Sequence, residues 1–271
     1  MLDNPEALAR RRLVAELLHG KIVPDLVRSA SKANSGRLKP MNNGSTFEFH
    51  QSDIAVLAKH LIEGDTQATE DLLSSYKEMG CSSVALILYL LSYAARELGQ
   101  QWCDDVLSFA DVTVGVSGLH RALSLLDRDL ASELPRVEGA RSIMLVCPKG
   151  DTHIFGISVI AAFFRNAGWT VETVMQAEEK EVLNAVSNTK FDVVGLSISR
   201  FEDVQQFKNL ITRIRDRSIQ PGLKILVGGS LILTKQELVA KLGADASADN
   251  ALDALEIAAS ICNQELSRES V

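Results

Sequence analysis

Asp151 and His153 are the residues of this chain whose types and spacing suggest chemistry most directly. The stretch Gly150-Asp151-Thr152-His153-Ile154-Phe155-Gly156 sets a carboxylate two residues before an imidazole and a glycine three residues after it. An imidazole can bind a metal through one ring nitrogen while the other donates a hydrogen bond to a carboxylate. That bond fixes the tautomer and raises the basicity of the ligating nitrogen. Gly156, with no Cβ, lets a bulky group lie against the backbone. The same residues also suit a helix cap, a surface histidine and a loop glycine, so DxHxxG alone leaves both readings open. Cys81, Cys103, Cys147 and Cys262 are dispersed with no CxxC, which points to neither a zinc site nor a disulfide framework. No nucleophile elbow and no carboxylate pair for acid–base work is present.

Position decides between the two readings. From Ser142 onward, short β-rich runs at 142–147, 169–174, 192–197, 223–228 and 244–248 alternate with helical patterns at 154–167, 178–188, 203–216, 234–242 and 250–264. Such alternation predicts βαβ units, hence an α/β domain with a doubly wound parallel sheet of the flavodoxin-like kind. Ligands of these sheets bind beyond the carboxyl ends of the strands. The DxHxxG stretch falls directly after the first strand. The third strand closes as Gly195-Leu196-Ser197-Ile198-Ser199 and the fourth as Val227-Gly228-Gly229-Ser230. Ser197 and Ser199 are slim and offer hydroxyls, while Gly228 and Gly229 admit a flat group; caps and a plain loop would use the same residues. Taken with the first loop, they describe one elongated slot. A GxGxxG is absent after the first strand, which disfavours a dinucleotide.

The preceding segment reads differently. Residues 50–130 show helical spacing throughout, with candidate helices at 52–63, 65–79, 82–98, 104–115 and 115–131, and predict a four- or five-helix bundle. The polar stretch 133–141 contains Pro and Gly and marks a boundary. Residues 5–28 have an amphipathic helical pattern and 29–46 are rich in Ser, Asn and Gly, a linker composition. The expected organisation is an arm over 1–49, a helical cap over 50–132, a linker over 133–141 and a ligand-binding domain over 142–271.

Of 271 residues, 28 are basic and 35 acidic, for a formal charge of −7; residues 1–40 carry +4 and the remainder −11. An acidic body argues against a broad nucleic-acid face and leaves only the basic arm for weak DNA contact. The longest mostly apolar run, 84–95, falls short of the roughly 20 residues that span a bilayer. No charged-then-apolar leader opens the sequence, so a cytoplasmic protein without membrane contact is expected.

At the strand ends the resemblance becomes specific. Residues 142–262 resemble the cobalamin-binding domain family, whose signature is DxHxxG, then SxL, then GG at these positions, with a shared Gly243-Ala244-Asp245 run in the last strand. The resemblance implies a cobalamin cofactor (adenosyl-, methyl- or hydroxocobalamin). His153 is then the lower axial metal ligand with Asp151 as its hydrogen-bond partner, and Gly156, Ser197, Ser199, Gly228 and Gly229 surround the displaced tail. One position departs: Ser199 stands where the family has Leu. Residues 97–109, ELGQQWCDDVLSF, are similar to the ELGxxW stretch of helical modules that cover the upper face, which implies that Trp102 lies over cobalt. The Glu-His pair that follows this Trp in light-sensing cobalamin repressors is replaced by Val112-Thr113, so their upper histidine and oligomeric switch are not implied.

The plan of short arm, helical cap and cobalamin domain resembles the cobalamin-binding antirepressors of photosynthetic proteobacteria (the AerR/PpaA type). That implies a transcriptional regulator responsive to light or cofactor state, acting through a DNA-binding repressor and turning over no substrate. Two alternatives keep the fold: a corrinoid methyl carrier of a methyltransferase system, and a haem-binding sensor with one axial histidine. His19, His50 and His60 have no ligand-like neighbours and read as solvated, and His120, in the last cap helix, reads as a helix-surface residue with facing the cofactor as the alternative.

Overall fold

The computed structural model describes residues 49–136, 139–149 and 154–266. The proposed arm, the 5–28 helix and the Asp151–His153 pair lie outside the described residues. Four helical passes come first: α1 (Gln51–Glu63), α2 (Thr66–Glu78), a pass through Ser83–Ala85 and the π-helical Leu86–Leu91 into α3 (Ser92–Cys103), and α4 (Phe109–Glu133). Then follow β1 (Ser142–Pro148), α5 (Ile154–Asn166), β2 (Thr170–Ala177), α6 (Glu179–Asn188), β3 (Val193–Ser197), α7 (Val204–Arg217), β4 (Lys224–Gly228), α8 (Ser230–Thr234), α9 (Leu238–Leu242), β5 (Ala246–Ser247) and α10 (Ala251–Leu266).

All strand pairs are parallel and the order is β2-β1-β3-β4-β5, the flavodoxin-like arrangement expected. The chain reverses its direction of winding at β1, so the crevice for a ligand opens beyond the carboxyl ends of β1 and β3. Near-continuous apolar strands suit a sheet covered on both faces: Ile143, Met144, Leu145, Val146 and Cys147 are all buried in β1. Alternate residues feed opposite faces. Leu145 joins the α5 and α10 side with Phe163 and Leu255, while Met144 and Val146 join the α6 and α7 side with Val186 and Ile211.

Carboxylates pin the amino edge. Asp192 accepts from the Ser142 backbone N–H at 2.7 Å and pairs with Arg141 at 3.2 Å, locking β1 to β3. Asp245 accepts from the Ile225 N–H at 2.6 Å and pairs with Arg215 at 2.8 Å. The Gly243-Ala244-Asp245 run therefore precedes the last strand instead of lying in it, and it holds the edge away from the proposed slot.

Three expected boundaries are corrected. The helices expected at 104–115 and 115–131 are one helix, α4, because Gly115 is not a breaker here. A Cβ at Gly115 would sit 3.0 Å from Leu98, so glycine brings α3 and α4 together. The helix expected at 82–98 continues to Cys103, with a π segment in which Ile87 O accepts from both the Ser92 backbone N–H and its hydroxyl. The helix expected at 234–242 splits at Lys235, whose backbone (φ −139°, ψ 67°) leaves the helical region. No helix among the described residues is long and apolar enough to cross a membrane.

The carboxyl edge of the sheet and the ledge above it

Strand pairing brings together the residues expected at the third and fourth strand ends. Ser197 stands opposite Gly228 in register, and the Ile198 N–H donates to Gly228 O at 2.8 Å. Gly229 has φ +102°, a region that favours glycine, and a Cβ there would fall 2.5 Å from Ile198 O. Its role is thus backbone packing between the two strand ends. Gly228 is looser, its nearest neighbour being Ala248 O at 3.4 Å from a notional Cβ. Ser197 and Ser199 are half-buried, while Ile198 between them is fully buried. Gly156 lies in the exposed first turn of α5, where a Cβ would meet nothing within 4 Å.

At the neighbouring strand end, the Lys149 ammonium pairs with Glu178 at 2.8 Å, tying the exit of β1 to the exit of β2. The hydrogen bond raises the Lys149 pKa and lowers that of Glu178; both groups are fully exposed. Asp151 and His153 follow directly on this point and lie outside the described residues. Among the described residues, no cluster of three His, Cys, Asp or Glu side chains could hold a metal.

The helical layer packs against α5. Asp105 adopts a left-handed conformation (φ 56°) and turns the chain sharply after Trp102, and the N–H groups of Val106 and Leu107 donate back to Gln101 O. A capping box starts α4: Asp111 N–H donates to Ser108 Oγ at 3.2 Å, and Ser108 N–H to Asp111 Oδ2 at 2.8 Å. The His120 and Phe155 rings meet edge to face at 5.4 Å, and Asn166 Nδ2 donates to Asp127 at 2.7 Å. Thus α4 runs along α5 in the same sense, with His120 at the first turn of α5.

The eleven residues of α4 before His120, about 16 Å at 1.5 Å per residue, continue past that turn and beyond the carboxyl edge. Phe109 and Val116 share a face with His120 and Asp127 through the 7, 4, 7 spacing. Phe109 is 73 % exposed and Val106 in the preceding turn 68 % exposed, an apolar ledge without cover among the described residues. Trp102 at the end of α3 is half-buried beside this turn.

Two histidine expectations are corrected. His120 is half-buried against Phe155 and burial lowers its pKa, so the imidazole is neutral at pH 7. His60 is half-buried and its Nδ1 is enclosed without a partner. It lines a cleft of about 280 Å³ between α1, α2 and α4, whose walls include no strand-end residue and not Trp102. Sequence reasoning missed the ledge, although the spacing of Phe109, Val116, His120 and Asp127 on one helix was there to be read.

Small residues at the strand ends and exposed aromatic and aliphatic side chains at the start of α4 suit a large, flat, partly apolar ligand. Residues 141–257 match the B12 binding domain family. The chain is 25% identical over 153 residues to an uncharacterized 20.5 kDa protein in the bchF-crtJ intergenic region of Rhodobacter capsulatus, covering 56% of this chain and 79% of that one. It is 24% identical over 204 residues to a corrinoid protein of Desulfitobacterium hafniense, covering 74% and 94%. With monomethylamine corrinoid protein 2 of Methanosarcina acetivorans it shares 23% over 206 residues, covering 74% and 91%. The structure of the Methanosarcina barkeri monomethylamine corrinoid protein superimposes with a TM-score of 0.63 at 17% identity, over 78% of this chain and 99% of that one, a likeness of fold.

Proposed function

From the premise that residues 141–257 form a B12 binding domain, we propose that the chain is a cobalamin-binding regulator, which reads the state of its cofactor in the helical layer and passes it to a protein partner. The cofactor is cobalamin. The observation that carries the reading is the uncovered apolar ledge at the start of α4, a helix that packs along α5, which begins directly after His153 of the DxHxxG stretch. In this reading His153 would hold the metal through one imidazole nitrogen, and Asp151 would accept a hydrogen bond from the other. Gly156, Ser197, Ser199, Gly228 and Gly229 receive the tail, and Trp102 covers the upper face. Cobalamin, when bound, would supply a cobalt-bound ligand that light or a change of cofactor state can release. This chain's residues would orient the ring and keep water from it, and Asp151 would hold the proton on one nitrogen of His153. They turn over no substrate.

The regulatory role draws support from the antirepressor-like plan and the basic arm. The partner is then a DNA-binding repressor. A second reading, a corrinoid carrier that receives a methyl group from one methyltransferase and gives it to another, is favoured by a separate observation. Relatives named as corrinoid proteins align over about three quarters of the chain, a span longer than the matched domain alone.

The deciding experiment is an absorption spectrum of the purified full chain after incubation with adenosylcobalamin or hydroxocobalamin, in darkness and after illumination. Retained corrinoid bands that change lastingly under light, in a protein that alters repressor–operator binding, are the expected result. Retention with methyl transfer to a methyltransferase's substrate and no effect on repression would establish the carrier instead. Retention of haem and no corrinoid would overturn both. His153→Ala is expected to abolish the base-off, histidine-on spectrum.

A further inference from the structure

Arg200 follows the serine pair with an extended backbone (φ −125°, ψ 140°), so the side chains of Ser199 and Phe201 leave the chain on the same side. Phe201 is 55 % exposed, an unusual state for a phenylalanine at the edge where this fold binds ligands. It is nonetheless held in place. Lys235 Nζ lies 4.2 Å from the ring centroid, within the range of a cation–π contact. The Arg200 guanidinium grips Asp203 through two hydrogen bonds of 2.8 and 3.2 Å, which fixes the short 3-10 turn Phe201–Asp203 that presents the ring. Lys235 is itself anchored, its backbone N–H donating to Leu231 O and Ile232 O at the end of α8. The pair therefore joins the loop after β3 to the segment after β4 and spans the rim beside Gly228 and Gly229.

We infer that Phe201 and Lys235 form a clasp that recognises the nucleotide tail of the corrinoid, the ring packing on the tail's apolar faces and the ammonium facing its phosphodiester. This rests on the cobalamin reading above and adds to it two residues outside the DxHxxG, SxL and GG positions. Three physical points carry it. An aromatic ring on the same side as Ser199 restores the apolar wall that a serine cannot give. A lysine already poised over that ring is the one cation linking these two strand-end loops among the contacts described. A fixed, half-exposed ring also loses little side-chain entropy when a ligand covers it.

The test is a pair of absorption titrations of the full-length protein, with hydroxocobalamin and with aquocobinamide, which has the same corrin ring and cobalt but no nucleotide. Phe201→Ala is expected to weaken hydroxocobalamin by about tenfold and to leave aquocobinamide within about twofold. Lys235→Ala is expected to weaken hydroxocobalamin and flatten its dependence on ionic strength, and Lys235→Arg to restore both. Both side chains reach solvent, so melting temperatures near wild type should accompany these losses; Phe201→Leu, which keeps an apolar wall, should fall between. An unchanged ratio of the two affinities in Phe201→Ala and Lys235→Ala overturns the clasp while sparing the cobalamin reading. A wild-type chain that retains neither corrinoid overturns that reading, and the clasp with it.

Discussion

Gly229 shows at the residue scale how a motif position can serve the fold before any ligand arrives. Its positive φ and the 2.5 Å approach of Ile198 O to a notional Cβ leave no room for a side chain. Gly229→Ala is therefore expected to cost about 2–4 kcal/mol, the sum of a left-handed penalty and a displaced strand end, read as a lower urea midpoint. Gly228→Ala, with 3.4 Å to its nearest neighbour, should cost far less. If the two were equally damaging, the close-packing account of Gly229 would fail. Ser197 and Ser199 can be placed at a strand end from the sequence, because they close a β-rich run. Phe201 was not legible in the same way, because a lone phenylalanine two residues farther on reads as core until its exposure is known.

At the scale of elements, α4 packs its leucines into the core it shares with α5, and His120 and Asp127 add polar contacts to Phe155 and Asn166. Burial against Phe155 lowers the His120 pKa in the folded chain, so the unfolded chain takes up its proton first as pH falls. The contribution of this group is complete above the ordinary histidine value of about 6.5 and is lost as pH drops below it toward the depressed folded value. His120→Leu should remove that part of the dependence. The check is the difference in melting temperature between wild type and variant at pH 7.5 and pH 5. The wild type should lose more stability on acidification, and parallel curves would refute the assignment. The same helix shows where periodicity misled. Gly115 and Gly118 look like interruptions in sequence, yet each lies under a leucine of a neighbouring helix. A Cβ at Gly118 would stand 2.8 Å from Leu61, so glycine there permits close helix packing and α4 runs unbroken to Glu133. Glu133 in turn caps the preceding pass, its two oxygens accepting from the Ser83 and Val84 N–H groups at 2.9 Å.

For the whole molecule, the helical layer and the sheet share one continuous apolar core. Phe49 is the first described residue to be buried, stacked edge to face on Tyr76 at 5.3 Å. Removing residues 1–46 therefore spares every contact described here, and the truncated chain is expected to keep its melting temperature and its corrinoid spectrum. In the regulatory reading it should lose partner contact, because the arm carries a net +4 against an acidic body. Regulation of a reporter that persists undiminished after truncation would remove the arm from the mechanism.

Strand–helix alternation, the placement of DxHxxG after the first strand and the small residues at the third and fourth strand ends were all present in the sequence. These are local quantities: a two-residue period, a missing side chain and a spacing along one chain segment. They determined the sheet class and the edge at which a ligand would bind. Tertiary structure alone decided that α4 passes the first turn of α5 to form a ledge, that Gly229 is held by Ile198, and that Lys235 reaches Phe201 across two loops. Those facts depend on distances between segments tens of residues apart, which burial and close packing fix only once the whole chain has condensed.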